Sequence, residues 1–417
     1  MNDRHPARFG RRTVLAGAAG ALAMPWVAKA DANPIKIGIQ SIFSGPIALL
    51  GTSSRGGIQP EIDRINASGG LLGRQVQPIY RDSKGQPQEA ARVARELVNT
   101  DGCEILLNAE ASSGAFAVQE VVRDLGVLCV HANSETSSLT ADPKLRVATA
   151  FRSARQGVHD AIVGGAYSAK VADAKNLTKW ATCAPDYAFG RDTTAQFLEF
   201  LKHFKPNIEV VTQAWPKLGQ PDFTEVITKI LQAKPQALYS TQYAGDLTAF
   251  INQGNVYALF GAMTTFIPAM GDLPVLANVK ALPPGIQSAA RYLPNFPDTP
   301  QNAAWYANFR KANNNDLPTN WSWESATGMR FIEAAVKKAN STDGKKAAAA
   351  MEGMTIEVPF STTGKVTMRA EDHTMIDYAM GWGTSISKEP WITDIKPGDW
   401  GQIIELETEW KKKNGYL

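Results

Sequence analysis

Residues 104–140 constrain the fold more tightly than any other stretch of this chain. Glu104-Ile105-Leu106-Leu107-Asn108 is a short apolar run that ends in small and polar residues, Ala109-Glu110-Ala111-Ser112-Ser113-Gly114. Phe116, Val118, Val121, Val122 and Leu125 follow at helical spacing, leaving one face for a core. A second strand-like run, Gly126-Val127-Leu128-Cys129-Val130, then leads into the polar loop His131-Ala132-Asn133-Ser134-Glu135-Thr136. Parallel strands need a crossover, and the crossover is right-handed, so both polar loops emerge at one carboxyl edge of a sheet. Ligands of open α/β sheets sit at that edge. Ser112 and Ser113 open the helix. A carboxylate there would meet hydroxyls, free N–H groups and the positive end of the helix dipole. The unit is read as one lip of a cleft for a small acid.

The same alternation extends in both directions. Upstream, Ile35-Lys36-Ile37-Gly38-Ile39-Gln40 and residues 75–82 read as strands, each followed by a helical pattern. Asn66, Gly69 and Gly70 stop the first helix by supplying its C-terminal cap. Downstream, strands are predicted at 179–184, 208–211, 237–240 and 257–260, separated by helices. Strand–helix alternation over this length predicts α/β architecture with doubly wound parallel sheets. After Pro283-Pro284-Gly285 the texture shifts to helices at 303–313, 323–339 and 345–351, then a strand at 366–369. The basic run Lys411-Lys412-Lys413 is read as a solvated tail.

At 417 residues the chain is long enough for two domains. Arg4, Arg8, Arg11 and Arg12 precede an uncharged run that ends at Ala28-Lys29-Ala30, the pattern of a cleaved export signal over residues 1–30. The pair Arg11-Arg12 resembles a twin-arginine signal. The uncharged run is shorter than the roughly 18–20 residues a spanning helix needs. The whole chain holds 43 basic and 40 acidic residues, but the first thirty carry five of the former and one of the latter. The remainder is close to neutral, so a nucleic-acid partner has no support. Cys103, Cys129 and Cys183 cannot all pair. Cys129 and Cys183 lie in apolar runs and read as buried thiols, while a Cys103–Cys129 bridge remains chemically open in an oxidising compartment.

Enzyme classes find little footing. There is no Gly-x-Ser-x-Gly elbow and no phosphate loop, and Gly381-Trp382-Gly383 lacks the third glycine of a dinucleotide fingerprint. The histidines beyond the signal have no metal-ligand spacing. No cofactor and no metal are expected.

Several stretches together resemble the periplasmic binding proteins of the leucine/isoleucine/valine type, which serve ABC importers. They are Ile35-Lys36-Ile37-Gly38 with Ser44-Gly45-Pro46 and Gly51; Asn66-Ala67-Ser68-Gly69-Gly70-Leu71-Leu72-Gly73; Ser112-Ser113; Asp186-Tyr187-Ala188-Phe189-Gly190; and Thr363-Gly364-Lys365-Val366. The resemblance implies two α/β lobes joined by three crossing strands, the type I periplasmic binding fold. Lobe one would comprise residues 31–151 and 284–358, and lobe two residues 152–283 and 359–417. It implies a periplasmic monomer that captures a small carboxylate and hands it to an inner-membrane ABC permease. A ligand sensor docking on a receptor is the alternative.

By the same resemblance, Ser112 and Ser113 hold the ligand carboxylate, with Asn133, Ser134 and Glu135 beside them on the next loop. Glu135 departs from the family pattern, since a second carboxylate there repels the ligand unless it points away or meets a cation. Tyr187, Phe189, Gln242, Tyr243, Asp246 and Thr264 lie on loops of the second lobe that would face the first. Phe43 and Leu50 flank the first turn, and the family places an aromatic cap near Leu50. The aromatic content fits an aromatic carboxylate. A branched-chain or other hydrophobic amino acid also fits, with Asp246, Glu110 and Glu135 as candidate partners for its ammonium. Trp321 and Trp323 read as helix-packing residues.

Overall fold

The computed structural model describes Met1 and residues 33–417. Apart from Met1, the expected export signal lies outside the described residues. The first sheet comprises β1 (Ile35–Ser41), β2 (Val76–Asp82), β3 (Ile105–Ala109), β4 (Leu128–His131) and β5 (Ala150–Arg152). Their order is β2-β1-β3-β4-β5, and every pair is parallel. Strand alternation distributes β3 between two cores. Ile105 and Leu107 join Ile58 and Ile62 of helix Leu49–Ala67 and Met329 and Ile332 of helix Asn320–Ala339. Leu106 faces the other way, among Val93 and Leu97 of helix Pro87–Asn99 and Val118 and Val122 of helix Ser112–Leu125. Covered on both faces, β3 is buried throughout, as a central parallel strand requires.

In the second half, β6 (Lys179–Cys183), β7 (Glu209–Ala214), β8 (Ala237–Ser240), β9 (Thr264–Phe266) and β10 (Gln287–Ala289) run parallel. Downstream, β11 (Thr355–Glu357), β12 (Lys365–Met368) and β13 (Met375–Ile376) form a separate antiparallel sheet. Then β14 (Gly381–Ser385) and β15 (Ile392–Pro397) extend the second sheet in antiparallel sense, giving the order β15-β14-β10-β9-β8-β6-β7. Two mainly parallel sheets wrapped by helices, the second with an antiparallel edge, make the two lobes of a type I binding fold.

The chain passes between the lobes after β5, again after β10, and a third time through the small sheet. The crossings are tied together. Gln156 on the first donates its backbone N–H to the hydroxyl of Tyr378 on the third at 3.1 Å, and Trp323 donates its indole N–H to the carbonyl of Arg291 on the second at 3.0 Å.

Four expectations need correction. The second crossing does not begin at Pro284, because β10 follows it and pairs with β9 and β14. Pro283-Pro284-Gly285 is the turn into that strand, not an exit. The strand expected at 257–260 is instead the short helix Leu259–Ala262, entered through Ala258 at φ 51°, and β9 begins only at Thr264. Short apolar runs do not separate strand from helix by periodicity alone. The basic tail ends helix Trp400–Lys413, and its Lys411 is buried against Asp372 (2.6 Å) and Glu407 (3.0 Å). Finally, all three cysteines are free and buried, so Cys103 and Cys129 do not pair.

Candidate functional site

The carboxyl edges of the two sheets face each other. On the first lobe, Ser112 is buried at the start of its helix, and its hydroxyl accepts from Ser134 at 3.2 Å. Asn133 is pinned to its own lobe: its amide donates to Ser54 Oγ at 2.8 Å and to the Ala109 carbonyl at 3.0 Å. On the second lobe, Tyr187 and Tyr243 each stand in extended backbone just ahead of a helix, Ala188–Phe204 and Ala244–Val256. Their hydroxyls meet at 2.9 Å. Phe189 lies edge-on to Tyr243 with ring centroids 5.7 Å apart, and Trp321 approaches the same ring at 5.8 Å. Such edge-on pairs stabilise by about 0.5–1.5 kcal/mol beyond area burial and fix ring orientation.

These rings, with Leu50, Ser112 and Asn133, line a narrow pocket. An adjoining narrow pocket runs past Asp160, Thr193 and Thr241. Glu135, Phe189 and Arg291 line both and so form the partition between them. Arg291 leaves the end of β10 and pairs with Glu135 from the loop after β4, each only 4% exposed. The guanidinium Nε has no partner among the described residues. Burial draws Arg291 down to about 10 while Glu324 and Tyr378 oppose that fall, so it stays a cation at neutral pH. A planar, buried cation with spare N–H capacity is suited to a carboxylate.

The lobes are in contact. A Cβ on Gly245 would lie 2.5 Å from the carbonyl oxygen of Pro46, and the backbone N–H of Ser137 donates to Asp192 across the gap at 3.0 Å. A wider groove beside Thr299, Trp305, Arg330 and Lys365 is open to solvent and takes no residue from the second sheet or its helices. The narrow cleft, by contrast, gathers groups from both lobes.

A family model described as "Periplasmic binding protein" matches residues 34–380. The chain belongs to the periplasmic binding protein family. It is 25% identical over 335 residues to the leucine-, isoleucine-, valine-, threonine- and alanine-binding protein of Pseudomonas aeruginosa, covering 80% of this chain and 86% of that one. It is likewise 25% identical over 397 residues to Leu/Ile/Val-binding protein homolog 6 of Brucella abortus, covering 93% and 94%. Among solved structures, the solute-binding protein of an ABC transporter from Rhodopseudomonas palustris BisB5, in complex with 3,4-dihydroxybenzoic acid, superposes with a TM-score of 0.78 at 22% identity. That match covers 88% of this chain and 99% of the other. A second R. palustris solute-binding protein, in complex with benzoate, gives 0.77 at 20% identity, covering 88% and 96%. At these identities the structural matches establish the fold.

In this periplasmic binding protein, Leu50, Ser112, Asn133, Glu135, Tyr187, Phe189 and Tyr243 of the expected residues come together at the pocket. Ser134 supports from behind through Ser112, and Ser113, half-buried, does not line the cavity. The others point elsewhere. Phe43 packs edge-on against Tyr80 at 6.0 Å within its own lobe. Gln242 turns toward Cys183, with its Nε2 3.8 Å from the sulfur. Asp246 accepts the backbone N–H of Gly219 at 2.8 Å and so holds a loop, not a ligand. Thr264 opens β9 instead of ending a strand, which places it at the sheet edge opposite the cleft, 3.5 Å from Lys175 Nζ. Three pocket residues escaped the sequence reading: Ala111, Arg291, and Trp321, which reads as packing but faces the cavity. Arg291 is the only charged residue between Lys280 and Asp298, a signal that could have found it.

Behind the partition, Asp272 is fully buried, and neither carboxylate oxygen has a partner among the described residues. Burial first, then Glu324, raise it to about 8, against the pull of Arg155. A carboxyl raised in the fold contributes stability that is complete below its ordinary value near 4 and is lost as pH rises through about 8. Asp272→Asn should therefore match the parent only at about pH 3.5 and be more stable at pH 8.5 by roughly 1–3 kcal/mol, read from urea midpoints. Identical differences at both pH values would mean that Asp272 stays ionised in the folded protein.

Proposed function

We propose that this protein is the substrate-binding component of an ABC importer, working in the periplasm as a monomer. It captures a small, ring-bearing or branched carboxylate between its lobes and delivers it to an inner-membrane permease. The carrying observation is the convergence of Ser112 and Asn133 from one lobe with Tyr187, Phe189, Tyr243 and Arg291 from the other on a single narrow pocket. Capture works by hinge closure. Contacts made by both lobes exist only when the cleft is shut, so a ligand shifts the population toward that state. The ring wall supports an aromatic acid, the ligand type named for the R. palustris proteins. The partition residue Glu135 supports an amino acid, the type named for the P. aeruginosa protein.

A thermal-shift screen of benzoates, phenylalkanoates and hydrophobic amino acids tests the reading, since a ligand that binds only the folded form raises its melting temperature. At least one of these carboxylates should raise it by several degrees, and Tyr243→Ala should weaken that ligand by about 10–100-fold, the loss expected for a buried aromatic anchor. A flat response across all three groups would refute carboxylate capture.

A further inference from the structure

We infer that Glu110 takes up a proton from solution as the ligand carboxylate settles at the start of helix Ser112–Leu125, which makes capture proton-coupled. The inference rests on the carboxylate-capture reading above and adds regulation by pH to that same site.

Three observations carry it. First, Glu110 stands behind the pocket, not in it. It is 1% exposed and lines neither pocket, whereas the next two residues, Ala111 and Ser112, form part of the pocket wall. It is sealed from a ligand ammonium, yet it shares the helix start with the ligand. A Cβ on Gly114, in the first turn, would lie 2.8 Å from Glu110 Oε2, so glycine leaves the carboxyl its place there. A bound carboxylate and an ionised Glu110 would be two anions at one helix end, the arrangement in which one of two carboxyls holds a proton. Second, no cation engages Glu110 among the described residues, and its Oε1 has no partner there. Its helix carries no charged residue before Glu120. On the loop after β2, Asp82 has the same sign, and exposed Lys84 gives its backbone N–H to Asp82 at 2.9 Å. Glu89 of helix Pro87–Asn99 is taken by Arg92. On β4, burial and Arg152 push His131 down to about 3, so it is uncharged at neutral pH. Arg152 itself donates to the carbonyls of Thr136 and Ser137 at 2.9 and 3.0 Å. Third, the carboxyl is poised to gain a proton. Burial lifts Glu110 to about 7, with the Ser83 hydroxyl opposing and Asp82 adding. It is part-ionised in the free protein at neutral pH, and an incoming anion raises it further.

Binding that takes up a proton weakens as pH rises, by the same linkage that governs stability. Benzoate, 3-phenylpropanoate, L-phenylalanine and L-leucine serve as probes, since the carboxylate of each stays ionised from pH 6 to 8. Calorimetric titration of the wild-type protein, in buffers of differing ionisation heat, should show uptake of about half a proton near pH 7.5 and almost none at pH 5.5. Affinity should be about 5-fold weaker at pH 8 than at pH 6. Asp272 and Glu324 are also raised toward neutrality by burial, so the comparison with Glu110→Gln decides. That variant, close in shape and never charged, should bind the same probe without the uptake and with nearly equal affinity at pH 6 and 8. If a probe binds both proteins with the same uptake and the same pH profile, proton coupling through Glu110 is refuted while carboxylate capture stands. If no probe binds the wild-type protein, carboxylate capture fails and the coupling falls with it. Should Glu110→Gln not fold, Ser83→Ala carries the test. Losing the hydroxyl that draws Glu110 down should move the onset of the affinity fall to higher pH, and an unmoved onset overturns the inference.

Discussion

Replacing Glu407 with alanine is expected to destabilise the protein by on the order of 3–5 kcal/mol, the usual result of stripping one partner from a buried charge network. Glu407 is 1% exposed and lies on helix Trp400–Lys413. Its two oxygens accept from Arg369 at 2.6 and 2.7 Å, and Lys411 and His159 stand at 3.0 and 3.1 Å. Asp372 is the remaining buried anion, paired with the same Arg369 and Lys411 at 2.5 and 2.6 Å. Without Glu407, two buried cations share one buried carboxylate. The network joins the corner after β12 to the last helix and to helix Gly157–Lys175, so its loss should loosen the third crossing as well. Against the effect of burial, His159 and Arg369 hold the Glu407 carboxyl well below its ordinary range. A depressed carboxyl contributes stability above its unfolded value, and that stability is lost as pH falls through the folded one. The deficit of Glu407→Ala should thus be full at pH 7 and shrink toward pH 3. A melting temperature within about 2 °C of the parent at pH 7 would show that the network contributes little, since the expected deficit corresponds to roughly 5–10 °C.

The second large effect concerns Gly57, inside helix Leu49–Ala67. A Cβ there would lie 1.9 Å from the backbone oxygen of Ser322 on helix Asn320–Ala339. The two helices approach backbone to backbone, and no rotamer change relieves the overlap. Glycine to alanine in a helix interior ordinarily gains about 1 kcal/mol. Gly57→Ala should instead lose roughly 2–3 kcal/mol, because overpacking forces the helices apart. The sign of the change in urea midpoint therefore decides between intrinsic propensity and close packing. Binding should weaken too, since Leu50 and Trp321, near the starts of these same two helices, both line the ligand pocket. A stabilised Gly57→Ala protein with unaltered affinity would overturn the close-packing account.

Much of the fold could be read from residue spacing because parallel strands buried on both faces leave continuous apolar runs, as at residues 105–109, and helices between them leave a 3.6-residue period. Ser112, Tyr187 and Tyr243 were legible for the same reason. They sit where an apolar run breaks into a helix start, and the topology sends those points to one edge. What escaped depended on tertiary placement. Thr264 was assigned to the wrong edge because Leu259–Ala262 is helical, which shifts the strand past it. Arg291 follows a strand of only three residues, Gln287–Ala289, too short to show a period. Trp321 has the composition of a packing residue, and only the pairing of its helix with Leu49–Ala67 turns the ring toward the cleft. Gln242 and Asp246 stand at a strand end and a helix start, as expected, yet one turns to Cys183 and the other to Gly219, a choice of rotamer that spacing does not encode.

The three sealed thiols have a consequence for where the molecule can be made. Burial raises Cys103 and Cys183 to about 12 and Cys129 further, so none is a nucleophile at physiological pH and none staples the chain. The native state owes nothing to an oxidant. A ribosome product could reach its finished shape in a glutathione-rich cytosol as readily as beyond the inner membrane, and either order of folding and translocation is open to it.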